Sequence, residues 1–198
     1  MNAYIEFVSK HIPLTNEEAN YLESFVTTRL YQPNEIISNN NTICKSLQFV
    51  VKGSARSFFV NNEGNENTWH FHFNDKDAAF ENYFVVDYQS FLHKTPSPLT
   101  FQALEALEVI ELSYGNLQII NRQSVKMQET GRIMAEMAYS VIHERIFSFL
   151  TLTAKERYLE LLNKRPYLLN KFPQYYIASF LGIAPQSLSR LRKEISIK

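Results

Sequence analysis

The sequence predicts an α+β fold in three parts: a β-rich front over residues 1–113, a long helix over 114–150, and a helical unit over 151–198. Three observations carry this. Short apolar runs separated by turn signals fill the front, at the roughly 8–12 residue spacing of a sandwich or barrel. From Tyr114 to Leu150 there is no Pro, and after Gly115 only Gly131 interrupts. Near the carboxyl end, Ala178, Gly182 and Pro185 punctuate an apolar pattern at the spacing two tightly crossed helices require.

The elements follow in order. Thr15-Asn-Glu-Glu18 is a capping box, and Tyr21, Leu22, Phe25 and Val26 continue a helical face. Arg29–Tyr31 then runs into the turn Gln32-Pro-Asn-Glu35 and on to Ile36-Ile37. Leu47–Val51 is stopped by Lys52-Gly53, and Ser54–Val60 leads into the turn cluster Asn61–Asn65. Thr68–Phe73 alternates, and Leu99–Leu104 and Val109–Leu112 are two further strand-like runs. On the long helix Met127, Met134 and Val141 lie seven apart, with Thr130, Met137 and Glu144 as a second row. One stripe is therefore buried, either against the chain's own barrel or against the same helix of a second subunit. Thr153-Ala-Lys-Glu156 caps another helix, which Arg165-Pro166 ends, and a hinge is expected near Thr151–Thr153.

Composition narrows the function classes. An apolar content of 45% over 198 residues supports a packed core rather than disorder. No run approaches the ~20 apolar residues of a membrane-crossing helix, and the first residues do not read as a secretory signal. Cys44 is the only cysteine, so neither an internal disulfide nor an iron–sulfur cluster is expected. A cytoplasmic protein is the expectation. The formal net charge of zero conceals an asymmetry: residues 1–154 hold 11 Lys+Arg against 17 Asp+Glu, and residues 155–198 hold 9 against 3. A basic module tied to an acidic one points to phosphates as partners of the carboxyl-terminal part alone.

In QYYIASFLGIAPQSLSRLRK, residues 174–193, Ile177, Leu181, Ile183, Leu188 and Leu191 form the inward set. Gly182 supplies the turn and Pro185 the first position of a second helix. Off that stripe lie Gln186, Ser187, Ser189, Arg190 and Lys193. In a DNA-reading helix, Arg190 reaches guanine bidentately and Gln186 pairs with adenine. Ser187, Arg192 and Lys193 fit phosphate contacts. Ala184 occupies the N-cap position without an oxygen, which costs about 1 kcal/mol against a Ser or Thr.

These parts together resemble the Crp/Fnr family of bacterial transcription regulators over nearly the whole chain. IASFLGIAPQSLSRLRK looks like that family's helix-turn-helix signature, and FENYFVVDYQSFLHKTPSPLTFQALEALEVIELS is similar to a branch that keeps the cyclic-nucleotide-binding fold. The resemblance implies a double-stranded β-helix (jelly-roll) effector domain, a dimerisation helix using Met127, Met134, Met137 and Val141, and a homodimer on double-stranded DNA. RNA polymerase is a further candidate partner. Two departures stand out. The family's pocket pairs Gly-Glu with a phosphate-gripping Arg; here Phe80-Glu81 keeps the Glu alone, and Leu99, beside Thr100, stands where the Arg belongs. Leu offers a phosphate nothing, so an effector other than cyclic AMP is expected if there is one. The family's wing after the recognition helix is expected to be truncated.

A rival of another class is a metal-dependent, cupin-like jelly-roll enzyme. Gly64-x5-His70-x-His72 resembles the opening of the cupin metal motif, with Asp77 nearby, and two His plus a carboxylate can hold Fe, Mn or Zn. A Glu and a closing Gly are missing, and His93 is the only later His in the front domain. The bland expectation is an exposed strand face for His70 and His72, with Trp69, Phe71 and Phe73 facing the core. No enzymatic activity, catalytic residue or bound cofactor is expected.

Overall fold

The computed structural model describes residues 2–196. The last two residues of the expected 151–198 unit, Ile197 and Lys198, lie outside the described residues. Helices α1 (Ala3–His11) and α2 (Asn16–Glu23) come first, then strands β1 (Val26–Tyr31), β2 (Ile36–Ser38), β3 (Ser46–Lys52), β4 (Ser54–Val60) and β5 (Glu66–Phe73). A 3-10 turn (Phe80–Asn82), strand β6 (Phe84–Val85) and helix α3 (Tyr88–His93) precede β7 (Thr100–Ala103) and β8 (Leu107–Ser113). Helices α4 (Tyr114–Gln123), α5 (Val125–Thr151), α6 (Ala154–Lys164), α7 (Pro166–Lys171), α8 (Gln174–Phe180) and α9 (Pro185–Ser196) complete the chain. Among the described residues the chain packs as two units. One is drawn from residues 2–57 and 71–139, the other from 58–70 and 140–196.

The eight strands form two four-stranded sheets, ordered β1-β8-β3-β6 and β2-β7-β4-β5. This is the expected jelly roll. Antiparallel register runs from Val26 opposite Leu112 to Tyr31 opposite Leu107, and from Ser46 opposite Ser113 to Lys52 opposite Glu108. Because side chains alternate, Phe49, Ile110 and Leu112 leave the outer face of the first sheet. There they join Tyr4, Ile5, Phe7 and Val8 of α1, Leu22 of α2, Ile120 of α4 and Met127 of α5 in one core cluster. The turn between β3 and β4 depends on Gly53, at φ +89. A Cβ there would sit 2.2 Å from the Ala106 carbonyl oxygen, so only Gly fits.

Both predicted capping boxes form. Thr15 accepts the Glu18 N–H at 3.2 Å while Glu18 takes the Thr15 N–H at 2.7 Å, and Thr153 and Glu156 repeat the exchange. Two expectations are corrected. The helix expected over 114–150 is two helices. Ser124 adopts extended backbone between them (φ −143, ψ 115), and its Oγ accepts the Met127 N–H at 3.3 Å, capping α5. Strand β5 has no exposed face. His70 and His72 are buried alongside Phe71 and Phe73, while Trp69 is only half-buried. Alternation in the sequence marks two faces, but burial requires that neighbours cover both, and here they do.

Candidate nucleic-acid interface

The second unit is organised around the α8–α9 junction. Helix α8 carries Ile177 and Ala178 inward, both essentially inaccessible, and Leu181 and Leu188 complete a buried seam against α9. The backbone reverses at Gly182, at φ +69. The Gly182 N–H reaches the Ser179 carbonyl at 3.1 Å and the Ile183 N–H reaches the Ala178 carbonyl at 3.0 Å, which is a Schellman closure with glycine at its left-handed position. Pro185 then opens α9, where a missing N–H costs nothing. The Ala184 carbonyl accepts from Ser187 and Leu188 at 3.0 and 3.2 Å, so Ala184 takes the cap position through its backbone alone.

With Leu188 turned inward, Gln186, Ser187, Ser189, Arg190 and Lys193 are exposed together along α9, and Arg192 is half-buried at the margin. The outer face of α9 therefore carries hydrogen-bonding and cationic groups on a rigid helix. Lys155 of α6 pairs with Glu194, tying the far end of α9 back to the unit.

Two arginines that the sequence did not single out hold this junction. Arg157 of α6 donates from Nε and Nη2 to the Leu181 carbonyl at 3.2 and 3.1 Å, and from Nη1 to the Leu152 carbonyl at 2.7 Å. Its guanidinium lies 4.7 Å from the centre of the Phe149 ring. Arg145 of α5 sits 4.0 Å over Phe180 and 5.2 Å from Trp69, and donates to the Phe180 carbonyl at 3.3 Å. Fixed cations thus meet the carbonyl end of α8, where the helix dipole is negative. The start of strand β5 joins them: Ser179 Oγ accepts the Thr68 N–H at 3.2 Å and lies 2.8 Å from Thr68 Oγ1. The +6 charge of residues 155–198 therefore overstates what faces outward, because Arg157 points in.

The long-helix residues divide differently from the expectation. Met127 is 6% exposed in the chain's own core cluster, and Met134 packs against that cluster. Met137 and Val141 are half-buried. The apolar surface left open on α5 is another stripe, formed by Tyr139 (71% exposed), Ile146, Phe147 and Leu150 (79%). Tyr139 and Ile146 are seven apart, as are His143 and Leu150, the repeat of a helix–helix seam.

The expected effector residues do not make a phosphate site. Glu81 is half-buried in the 3-10 turn. Leu99 is buried, with its N–H on Ser97 Oγ at 3.0 Å, and Thr100 Oγ1 accepts the Asn40 N–H at 3.2 Å. The histidine pair is likewise built into packing. His72 Nε2 lies 3.0 Å from Ser57 Oγ, its ring is 5.9 Å from Phe101, and burial pushes its pKa down to about 4. The His70 ring lies near Phe180, tilted 60° to it with centroids 6.5 Å apart. Asp77 is exposed, with its N–H on Asp75 Oδ1 in a local turn. Among the described residues no three His, Cys, Asp or Glu side chains converge on a metal position, and no helix is long and apolar enough to cross a membrane.

No family model matches the chain, and neither does any curated protein sequence. Solved structures do. FixK2 from Bradyrhizobium japonicum superposes with a TM-score of 0.67 at 18% identity, over 87% of this chain and 85% of that one. A transcriptional regulator of the Crp/Fnr family from Eubacterium rectale gives 0.67 at 16% identity, over 93% and 84%. The catabolite activator protein of Thermus thermophilus gives 0.57 at 17% identity, over 93% and 85%. The fold is that of the Crp/Fnr regulators.

Proposed function

We propose that this chain, folded as the Crp/Fnr regulators are, is a sequence-specific DNA-binding transcription regulator that acts as a homodimer and carries no enzymatic activity. The observation that supports this most strongly is the Schellman turn at Gly182, which leaves Gln186, Ser187, Ser189, Arg190 and Lys193 exposed on one rigid helix. In this reading the start of α9 enters the major groove. Arg190 donates to guanine O6 and N7, Gln186 pairs with adenine, and Ser187, Arg192 and Lys193 position the helix on phosphates. Two copies present their α9 helices ~34 Å apart to a pseudo-palindrome. The exposed stripe Tyr139–Ile146–Leu150 is the surface on which two copies meet, in place of the Met127 row. The jelly roll serves as effector domain for a ligand other than a cyclic nucleotide, since Leu99 offers no cation. RNA polymerase is the partner of the DNA-bound dimer, and the cytoplasm its place of action.

Fluorescence anisotropy on DNA from upstream of the gene tests this. Affinity falls steeply with salt. Arg190→Ala lowers the ratio of specific to non-specific binding by about tenfold or more. Lys193→Ala weakens both alike and flattens the log–log salt slope by about one. An unchanged ratio in Arg190→Ala overturns the assignment of the reading helix. In sedimentation, Leu150→Glu yields monomers with an intact fold; a dimer unaffected by that change places the interface elsewhere.

A further inference from the structure

Between its two sheets the jelly roll contains a cavity of about 360 Å³. Ile37, Ile43, Val85, Val86 and Phe101 form its apolar wall. Phe101, next to Thr100, lines it, whereas Glu81, Leu99 and Thr100, the residues the family resemblance pointed to, do not. Its volume lies within the range of small-ligand sites.

Gln48 lines this cavity and is 7% exposed. Its Nε2 donates to Tyr31 Oη at 3.0 Å and to Glu111 Oε2 at 3.2 Å. A carboxylate only accepts, so the contact with Glu111 fixes which end of the amide is nitrogen. The other end, Oε1, is buried with no hydrogen-bond partner among the described residues. An acceptor buried in that state is costly to the fold until a donor reaches it. At the rim stand two exposed cations, Arg29 and Lys45. Arg29 Nε pairs with Glu111 Oε2 at 2.9 Å, yet its side chain stays 58% exposed and a guanidinium carries five donors. Glu111 beside them disfavours a doubly charged anion.

We propose that this cavity binds a small organic monoacid. Its N–H or O–H donor meets Gln48 Oε1, its apolar body lies against Phe101 and Val86, and its carboxylate reaches Arg29 and Lys45. An amide-bearing carboxylate, as in an N-acylated amino acid, meets all three demands. Calling this molecule the effector rests on the regulator reading above; its binding does not, and is measured without DNA.

The probe is N-acetyl-L-phenylalanine, titrated into the full chain by calorimetry and by amide chemical shifts. Saturable one-to-one binding is expected, weakened about tenfold for its methyl ester, which lacks the carboxylate, and for 3-phenylpropanoate, which lacks the amide. Gln48→Leu should lose about as much. Because that change also removes contacts to Tyr31 and Glu111, Ile43→Trp gives an independent reading: Ile43 is 41% exposed at the mouth, so a larger ring blocks entry without disturbing the core. Absence of saturable binding, or binding that Ile43→Trp leaves unchanged, overturns the proposal. Binding that leaves DNA affinity unaltered supports the site and removes only its regulatory meaning.

Discussion

Replacing Gly182 with Ala tests the geometry of the helix junction directly. At φ +69 a Cβ meets its own backbone, which costs about 1–2 kcal/mol for an L residue. The same Cβ would lie 3.0 Å from Phe149 Cε1, but that ring is 41% exposed and can yield, so the contact adds only a few tenths (roughly). The expected loss is about 1–2 kcal/mol, or roughly 2–8 °C in midpoint for a chain of this size. Gly131 provides the control of opposite sign. It lies inside α5 with nothing within 4 Å of a built Cβ, so Gly131→Ala should stabilise by about 0.5–1 kcal/mol. Trp69 is the only tryptophan and belongs to the same unit as Gly182, so its fluorescence follows that unit's unfolding; circular dichroism follows the Gly131 variant. Gly182→Asn should recover most of the loss, because Asn tolerates the left-handed region. If Gly182→Ala melts at or above the wild-type midpoint, the turn does not require positive φ and the junction has been misread.

Further outcomes follow from other contacts. His72 has a folded pKa of about 4 against an unfolded value near 6.5, so its neutral form is the native one. Stability therefore holds above about pH 6.5 and falls, by up to about 3 kcal/mol, as pH drops toward 4. His72→Gln should flatten urea midpoints across that window, and an unaltered slope contradicts the assignment. Arg157→Lys cannot reach the Leu181 and Leu152 carbonyls at once, so it should cost about 2 kcal/mol by Trp69-monitored denaturation. A loss below about 0.5 kcal/mol would remove Arg157 from its supporting role.

Local signals were legible in the sequence where their chemistry is local. The Thr15–Glu18 and Thr153–Glu156 boxes each close within four residues, and the Gly182–Pro185 punctuation encodes its own turn. Features that depend on distant neighbours were not. Ser124 lies among helix formers, and only the cap it makes for Met127 shows that the helix restarts there. His70 and His72 alternate with aromatics as an exposed face would, and their burial is set by the residues that cover them. Arg157 counted toward the cationic charge of residues 155–198, although its guanidinium, like that of Arg145 in the preceding helix, turns inward onto the carbonyl end of α8. Helix α1 begins at the Asn2 cap, whose Oδ1 takes the Ile5 N–H at 3.0 Å, too near the start of the chain for its periodicity to stand out. The orphaned Gln48 oxygen exists only because three strands bring Tyr31, Gln48 and Glu111 together.

Selection of bound sequences from random duplex DNA by the purified protein, run beside Arg190→Ala, bears most directly on the regulator assignment. The account predicts enrichment of a two-fold symmetric site with half-sites about one helical turn apart, and loss of a guanine preference at one position per half-site in the variant. Sequences no different from the starting pool, or identical enrichment by both proteins, would contradict it.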